Sequence, residues 1–273
     1  MNETAPTAPV SLADRWGWSY FTRRVLLLTG MDLSGYKEHQ LRRRLSGLMS
    51  RFKIHSWMDL AALLVQNQEA MDYFLKVVTI NVSEFFRQPE RFWDLRDRLL
   101  PELMHTRRQL NVWSAGCSYG AEPYSLAILL AEMTPLRKHK ILATDVDQSA
   151  LEQAKAGDCY TETDLKNVPR AWVDKYFKPA GSLFRVADRL KAMIEFRVHD
   201  LLQNPYPENM DLILCRNVAI YFTDAAKTRL YASLAGALRP GGILFVGGTE
   251  LVPHSPHLGL TNRSMSFYQK AAA

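Results

Sequence analysis

The residues with the most definite chemistry lie around one strand-to-helix turn. In LNVWSAGCSYGAEPYS (110–125) an apolar strand gives way to a helix, and Glu122 stands in the first turn of that helix. A helix start carries partial positive charge and unpaired N–H groups, and so favours a phosphate. A carboxylate at that point repels a dinucleotide's pyrophosphate and suits a cationic or neutral ligand instead. The loop holds Gly116 and Gly120 but no GxGxxG, and glycines alone say little in such a loop. Asp145 ends the following strand, HKILATD, where an acid in a nucleoside-binding α/β fold accepts hydrogen bonds from ribose hydroxyls. Each acid has a plainer reading. Glu122 can be a dipole partner for the helix, and Asp145 an N-cap, although Asp147 is better placed to cap. In consecutive strand–helix units, the two together favour an adenosine ligand without phosphates. S-adenosylmethionine, with its sulfonium and α-ammonium, has that chemistry.

These residues need a scaffold. From Leu110 onward strands and helices alternate. LNVWSA (110–115), HKILATD (139–145), IEFRVHD (194–200), DLILCR (211–216) and GILFVGG (242–248) read as strands. EPYSLAILLAEM (122–133), DQSALEQAKAG (147–157) and TDAAKTRLYASLAGAL (223–238) read as helices, the last stopped by Arg-Pro-Gly-Gly. This alternation predicts an α/β fold, a mostly parallel sheet with helices on both faces. MSFYQK (265–270) adds an antiparallel edge strand. A small β insertion is expected at about 176–200, with FRVADRL and KAMIEFRV as a hairpin beside the main sheet. Residues 12–80 carry helical periodicity instead, in segments 14–29, 37–53, 56–65 and 68–79, and predict a small all-α N-terminal domain. Residues 81–109 form a linker and helix, and 110–273 the main domain. Residues 1–11 read as a short flexible tail.

With 273 residues the chain suits one large domain, or one large and one small. A hydrophobic share of 47% and a charged share of 23% exclude collagen-like, fibrous and disordered classes. No uncharged apolar run nears the ~18–20 residues of a membrane span, and MNETAPTAPV lacks the features of a secretory signal. Cys117, Cys159 and Cys215 form no CxxC pair, so neither a disulfide framework nor a zinc site is indicated, and a reducing cytoplasm is the simple expectation. The net charge of +6 is concentrated. Tyr36–His55 holds six Lys or Arg against one acid, and the remainder is nearly balanced. In that segment Leu41, Leu45, Leu48, Met49 and Phe52 form one helical stripe, bordered by Arg42, Arg44 and Arg51 with Arg43 opposite.

Five segments in order, NVSEFFR (81–87), VWSAGCSYGAEPYSLA (112–127), ATDVD (143–147), CRNVAIYF (215–222) and LRPGGILFVGGTE (238–250), resemble the chemotaxis receptor-glutamate methyltransferases, the CheR family. The similarity extends over the chain beyond its N-terminal tail. It implies a Rossmann-like S-adenosylmethionine-dependent methyltransferase domain behind an all-α domain. The implied reaction is methyl esterification of glutamate side chains on the cytoplasmic helices of chemoreceptors, the adaptation step of bacterial chemotaxis, by a protein-glutamate O-methyltransferase. By resemblance Asn81, Ser83 and Arg87 reach the cofactor and reaction site from the linker, and Glu122 and Asp145 contact the cofactor. Asp200 and Leu201 border the adenine, Arg216 and Asn217 lie close to the methionine part, and Tyr221 matches an active-site tyrosine.

Some positions depart from the commoner pattern. Tyr119 and Ala121 stand where the family usually has Thr and Glu, and Asp200 where Asn is frequent. The segment YFKPAGSLFRV (176–186) is short, whereas members that dock on a receptor's C-terminal pentapeptide tend to carry a longer loop there. Independence from that tether is the resulting expectation.

A glutamate carboxylate, with an ordinary pKa of ~4.3, is ionised near pH 7 and attacks a sulfonium methyl without a general base. The site has to align the reactants and exclude water. Arg87 is the first candidate to hold the carboxylate, Arg216 the second, and Tyr221 a hydrogen-bonding wall. Plainer roles are a surface salt bridge for Arg87 and aromatic packing for Tyr221. His254 and His257 in HSPH make an improbable metal pair, and no metal is expected. Cys117 reads as a packing residue, and Phe85–Phe86 as packing between domains. Two other classes compete. An RNA or DNA methyltransferase is disfavoured because CRNVAIYF lacks an (Asp/Asn)-Pro-Pro-aromatic signature, and a non-catalytic cofactor-binding module is disfavoured by Arg87 and Tyr221. The basic helix, with Arg42, Arg43, Arg44, Arg51 and Lys53, is either a solvated face or, by resemblance, a dock for the acidic methylation region of a receptor. A cytoplasmic monomer that meets membranes only through receptors, and binds no nucleic acid, is expected.

Overall fold

A computed structural model describes residues 12–272, so the tail expected at 1–11 lies outside the described residues. Two compact units divide between Ile80 and Asn81. The first is all helical: α1 (Leu12–Thr29), α2 (Glu38–Arg51), α3 (Trp57–Gln66) and α4 (Gln68–Thr79). Ser56 and Asn67 cap α3 and α4 by accepting the N–H groups of Asp59 and Ala70. Leu41, Leu45 and Leu48 of the predicted stripe are buried with Phe21, Leu60 and Phe74, while Met49 and Phe52 are half-buried at its end.

The second unit opens with α5 (Pro89–Asp94) and α6 (Leu100–Thr106), joined through a π turn at Leu95–Leu99. Leu100 donates back to the Leu95 carbonyl, and the next residue, Pro101, has no N–H with which to continue the regular ladder. There follow β1 (Asn111–Ala115), α7 (Ala121–Met133), β2 (Lys140–Asp145), α8 (Gln148–Ala156), α9 (Arg170–Tyr176), β3 (Phe177–Ala180), β4 (Leu183–Val186), α10 (Asp188–Lys191), β5 (Ile194–Val198), β6 (Met210–Cys215), α11 (Asp224–Ala237), β7 (Leu238–Val246), β8 (Leu260–Ser264) and β9 (Phe267–Lys270). The main sheet has seven strands in the order β5-β2-β1-β6-β7-β9-β8. The first five are parallel, and β9 and β8 antiparallel. Val112 to Ala115 of β1 are all buried, so both faces of the central strand are covered, as a parallel sheet requires. Strand order reverses beside β1, between β2 and β6, which is where such folds bind ligands.

The mostly parallel sheet, all-α first unit and small β insertion agree with the sequence expectation. Three details differ. MSFYQK supplies β9, but the edge is β8, a strand the polar stretch LTNRS does not advertise. The hairpin consists of β3 and β4 only, while IEFRV joins the main sheet as β5 beside β2. Finally, Arg239-Pro240-Gly241-Gly242 lies inside β7 as an irregularity. Met210 faces Leu238 and Leu212 faces Ile243, and the intervening residues bulge out. Gly241 is left-handed, and a Cβ on Gly242 would sit 2.9 Å from the Met210 carbonyl. A bulge accommodates the proline without a ladder N–H. No helix among the described residues is long and apolar enough to cross a membrane.

Candidate cofactor and reaction site

The loop after β1 is tied down by main-chain bonds. The Gly116 and Cys117 N–H groups both donate to the Thr144 carbonyl, at 2.8 and 2.9 Å. Gly116 has φ +82°, and a Cβ there would lie 2.4 Å from the Val218 side chain, so any other residue would be strained and would displace Val218. Ser118, also left-handed, donates its N–H to Asp145 Oδ2 at 2.8 Å, and Asp147 donates its own to Oδ1 at 3.0 Å. Asp145 is thus buried and holds the loop that runs into α7. Burial pushes its carboxyl up, and the backbone donors partly offset that. Asp147 caps α8 through Ala150 and receives the Asn81 amide at 2.6 Å.

Glu122, in the first turn of α7, accepts from Ser114 Oγ at 2.8 Å and faces Arg216 Nη1 at 3.4 Å. Arg216 is buried. Its Nη2 donates to the Arg87 carbonyl at 2.7 Å and to Gln88 Oε1 at 3.0 Å, and its guanidinium lies 4.4 Å from the Phe245 ring centre. Burial lowers the Arg216 pKa and raises that of Glu122, each opposed by the other's charge. Arg87 is half-buried, donates from Nη1 to the Val82 carbonyl at 3.2 Å, and is near enough for its charge to favour ionised Glu122. Arg87, Arg216 and Glu122 therefore form one electrostatic group.

The segment carrying Asn81, Ser83 and Arg87 is held along its length. Tyr119 Oη accepts the Ser83 N–H at 3.1 Å and donates to the Ser83 carbonyl. Phe85 N–H reaches the Asp164 carbonyl at 3.1 Å, and Phe86 N–H reaches Ser125 Oγ at 2.9 Å. The Phe85 ring packs on Tyr160 and Phe177, and Phe86 on Phe92, Trp93 and Trp172. All these partners belong to the second unit, so the phenylalanine pair is part of the core of that unit.

Residues 81–266 match the family model described as the CheR methyltransferase SAM binding domain, and residues 18–79 match the CheR methyltransferase all-alpha domain. The chain belongs to the CheR methyltransferase family. A chemotaxis protein methyltransferase of Listeria monocytogenes is 37% identical over 252 residues, covering 92% of this chain and 96% of its own. One from Vibrio parahaemolyticus is 34% identical over 241 residues, covering 84% and 87%. Chemotaxis protein methyltransferase 2 of Pseudomonas aeruginosa is 32% identical over 246 residues, covering 86% of each. The chain is a methyltransferase of chemotaxis that uses S-adenosylmethionine.

The site fits that cofactor of the CheR family. The loop from Ala115 to Glu122 contains no Lys or Arg to meet a phosphate, and its two fixed acids suit a cation and hydroxyl donors. Ser118 Oγ is buried without a hydrogen-bond partner among the described residues, a polar atom left over in the cofactor loop.

The other residues that the CheR resemblance singles out lie around the same strand ends. Asp200 and Leu201 follow His199, whose N–H donates to the Asp145 carbonyl at 2.9 Å. The Asp200 carboxylate accepts from Leu202 N–H and Gln203 Nε2, at 2.7 and 2.8 Å, which shapes its own turn. Asn217 is left-handed and donates its N–H to Glu250 at 2.7 Å. Tyr221 ends a short 3-10 turn, half-buried. Cys117 is buried and its thiol pKa is pushed well up, so it is no ready nucleophile. His254 and His257 face each other with rings 6.1 Å apart. No group of three His, Cys, Asp or Glu suited to a metal occurs among the described residues.

Three residues here went unassigned in the sequence. Glu250 Oε2 holds the N–H groups of both Asn217 and Gly247, joining the ends of β6 and β7. Gln88 receives Arg216, and Tyr119 clasps Ser83. Only Tyr119 carried a signal, as a departure from the family's usual residue.

The basic helix α2 lies in the first unit. Arg42 reaches Asp14 at 2.7 Å and Glu38 at 2.8 Å, with its guanidinium 4.6 Å from the Trp18 ring centre and 5.2 Å from that of Trp57. Arg44 reaches the Val78 carbonyl at 3.4 Å, and Arg51 pairs with Glu69 at 2.9 Å. Arg43 and Lys53 are exposed.

Proposed function

We propose that this chain methyl-esterifies glutamate side chains on the cytoplasmic helices of chemoreceptors. One observation carries the reading: Arg216 is buried against Glu122 and the Arg87 carbonyl, while the Arg87 side chain is held only through Val82 among the described contacts. Arg216 then acts as a positioning residue, and Arg87 is the arginine offered to an incoming carboxylate.

Bound S-adenosylmethionine supplies a methyl group on a sulfonium, an electrophile for a carboxylate oxygen. Glu122, Asp145, Asn81, Ser83, Asp200, Leu201, Arg216 and Asn217 line or support its site. The titratable groups at the loop already have structural partners: Glu122 has Ser114 and Arg216, and Asp145 has two backbone N–H groups. A glutamate nucleophile suits such a site, because it arrives ionised and needs no base. Arg87 would orient one carboxylate oxygen, and Tyr221 would wall the site by hydrogen bonding.

The exposed Arg43 and Lys53, with Arg44 and Arg51, would face the acidic helical methylation region, while Arg42 braces the helix from within. The hairpin β3–β4 turns in two residues, Gly181 and Ser182, which supports methylation without a receptor's C-terminal pentapeptide. The enzyme would work as a cytoplasmic monomer that reaches the membrane only through its receptors and binds no nucleic acid.

The test is transfer of tritium from labelled S-adenosylmethionine to membranes containing the native receptors, with total RNA in parallel. Base-labile label released as methanol supports the reading. Tight cofactor binding with no methyl ester would overturn it, and label in RNA would point to the competing class.

A further inference from the structure

Tyr119 is one of two positions, with Ala121, where this chain leaves its family's usual loop, and its phenol makes an unusual pair of bonds. Both main-chain groups of Ser83 end on one oxygen: the N–H donates to Tyr119 Oη at 3.1 Å, and Oη–H donates to the carbonyl. This is what a neighbouring strand would do for Ser83, performed by one side chain. Tyr119 is fixed in turn. Its carbonyl accepts from Tyr160 Oη at 2.7 Å, and the residues on either side are bound to Asp145 and Cys117. Half-burial raises the phenol's pKa, which keeps the donated proton in place.

Ser83 lies midway between two other anchors, Asn81 on Asp147 and Phe85 on the Asp164 carbonyl. Without the phenol, the Ser83 main chain would have no bond of its own among the described contacts, and the stretch between those anchors would keep only the Glu84–Lys166 ion pair and the bond from Arg87 to the Val82 carbonyl. We propose that Tyr119 is a positioning residue for cofactor binding: its phenol sets the Ser83 main chain, and with it segment 81–87, against the cofactor loop. The proposal rests on the reading that this segment serves the cofactor. Its test needs no receptor, so either can fail without the other.

The experiment compares the full chain with Tyr119→Phe and Tyr124→Phe, the second losing a buried hydroxyl that bonds the Ala154 carbonyl at 2.8 Å. Both lose one hydroxyl, but only the first loses the Ser83 bonds. Hydrogen exchange reports the peptide covering Asn81–Arg87, calorimetry reports the affinity for S-adenosylhomocysteine, and thermal melts report stability. Tyr119→Phe is expected to accelerate exchange at 81–87 and weaken binding about tenfold, the loss of two hydrogen bonds of ordinary net strength. Tyr124→Phe is expected to lower the melting temperature comparably while changing affinity less than about twofold. Unchanged exchange in Tyr119→Phe would overturn the proposal. So would unchanged affinity, or a loss of affinity that follows stability equally in both variants.

Discussion

Arg216 Nη2 donates to the carbonyl oxygen of Arg87 at 2.7 Å, so the side chain of one arginine sets the main chain of the other. The same guanidinium faces Glu122 and Gln88 and lies against the rings of Phe92 and Phe245. Three parts of the chain, at the starts of α5 and α7 and the end of β6, therefore converge on one buried cation.

Arg216→Met removes that cation and leaves the largely desolvated Glu122 carboxylate without its paired counter-charge. The expected loss of stability is about 3–5 kcal/mol, the range for breaking one side of a buried pair. Urea unfolding with and without S-adenosylhomocysteine measures it. A change under about 1 kcal/mol would mean the pair is not formed in solution.

Arg87→Ala should act differently. Its side chain is half-buried and bonds only to the Val82 carbonyl among the described contacts. Turnover on receptor membranes is expected to fall about 100-fold through loss of orientation, while S-adenosylhomocysteine still binds. Near-normal turnover would remove Arg87 from the mechanism.

Two acids give the cofactor site a pH dependence of definite sign. Burial raises the pKa of Glu122 and of Asp145 above ordinary carboxyl values. Both protonate earlier than usual as pH falls, so affinity for a cationic, hydroxyl-bearing ligand should drop as pH descends through those raised values. Folding stability runs the other way. The native state holds these protons more tightly than the unfolded chain, so the two groups' contribution is largest below the unfolded pKa and is lost as pH rises through the folded one. Calorimetry from pH 8 to 5 measures the first effect. Glu122→Gln should bind more weakly at pH 7 with a flatter profile, and Asp145→Ala should weaken affinity across the range.

Replacing exposed charge on α2 tests the docking face. Arg43→Gln with Lys53→Gln should raise KM for receptor membranes about fivefold at low salt and flatten the salt dependence, since exposed charges act mainly through screened attraction. Cofactor affinity should not change. Unaltered methylation kinetics and salt dependence would assign these residues to a solvated face.

Much of the scaffold was legible because it rests on local rules. Leu41, Leu45 and Leu48 announced their helix by spacing, and Asp147 announced the cap that it makes in the fold. Where partners are remote in sequence, the reading failed. LTNRS gave no strand signal, because β8 is a polar edge strand ordered by pairing with β9. Arg-Pro-Gly-Gly looked like a stop between elements, yet pairing with β6 draws it into β7 as a bulge. At the site, Glu122 and Asp145 stood out because each sits at a strand or helix end. Glu250 and Gln88 did not, since their roles depend on Asn217, Gly247 and Arg216 alone.

The sequence by itself determined the α/β alternation, the basic amphipathic helix and two acids that disfavour a phosphate ligand. These are matters of periodicity, composition and position within one element. Only the tertiary structure decided which arginine is buried and which half-exposed, that Arg42 is engaged inside its own unit, and that Tyr119 clasps Ser83. Such assignments depend on desolvation and on hydrogen bonds closed over long chain separations, and a linear pattern carries neither.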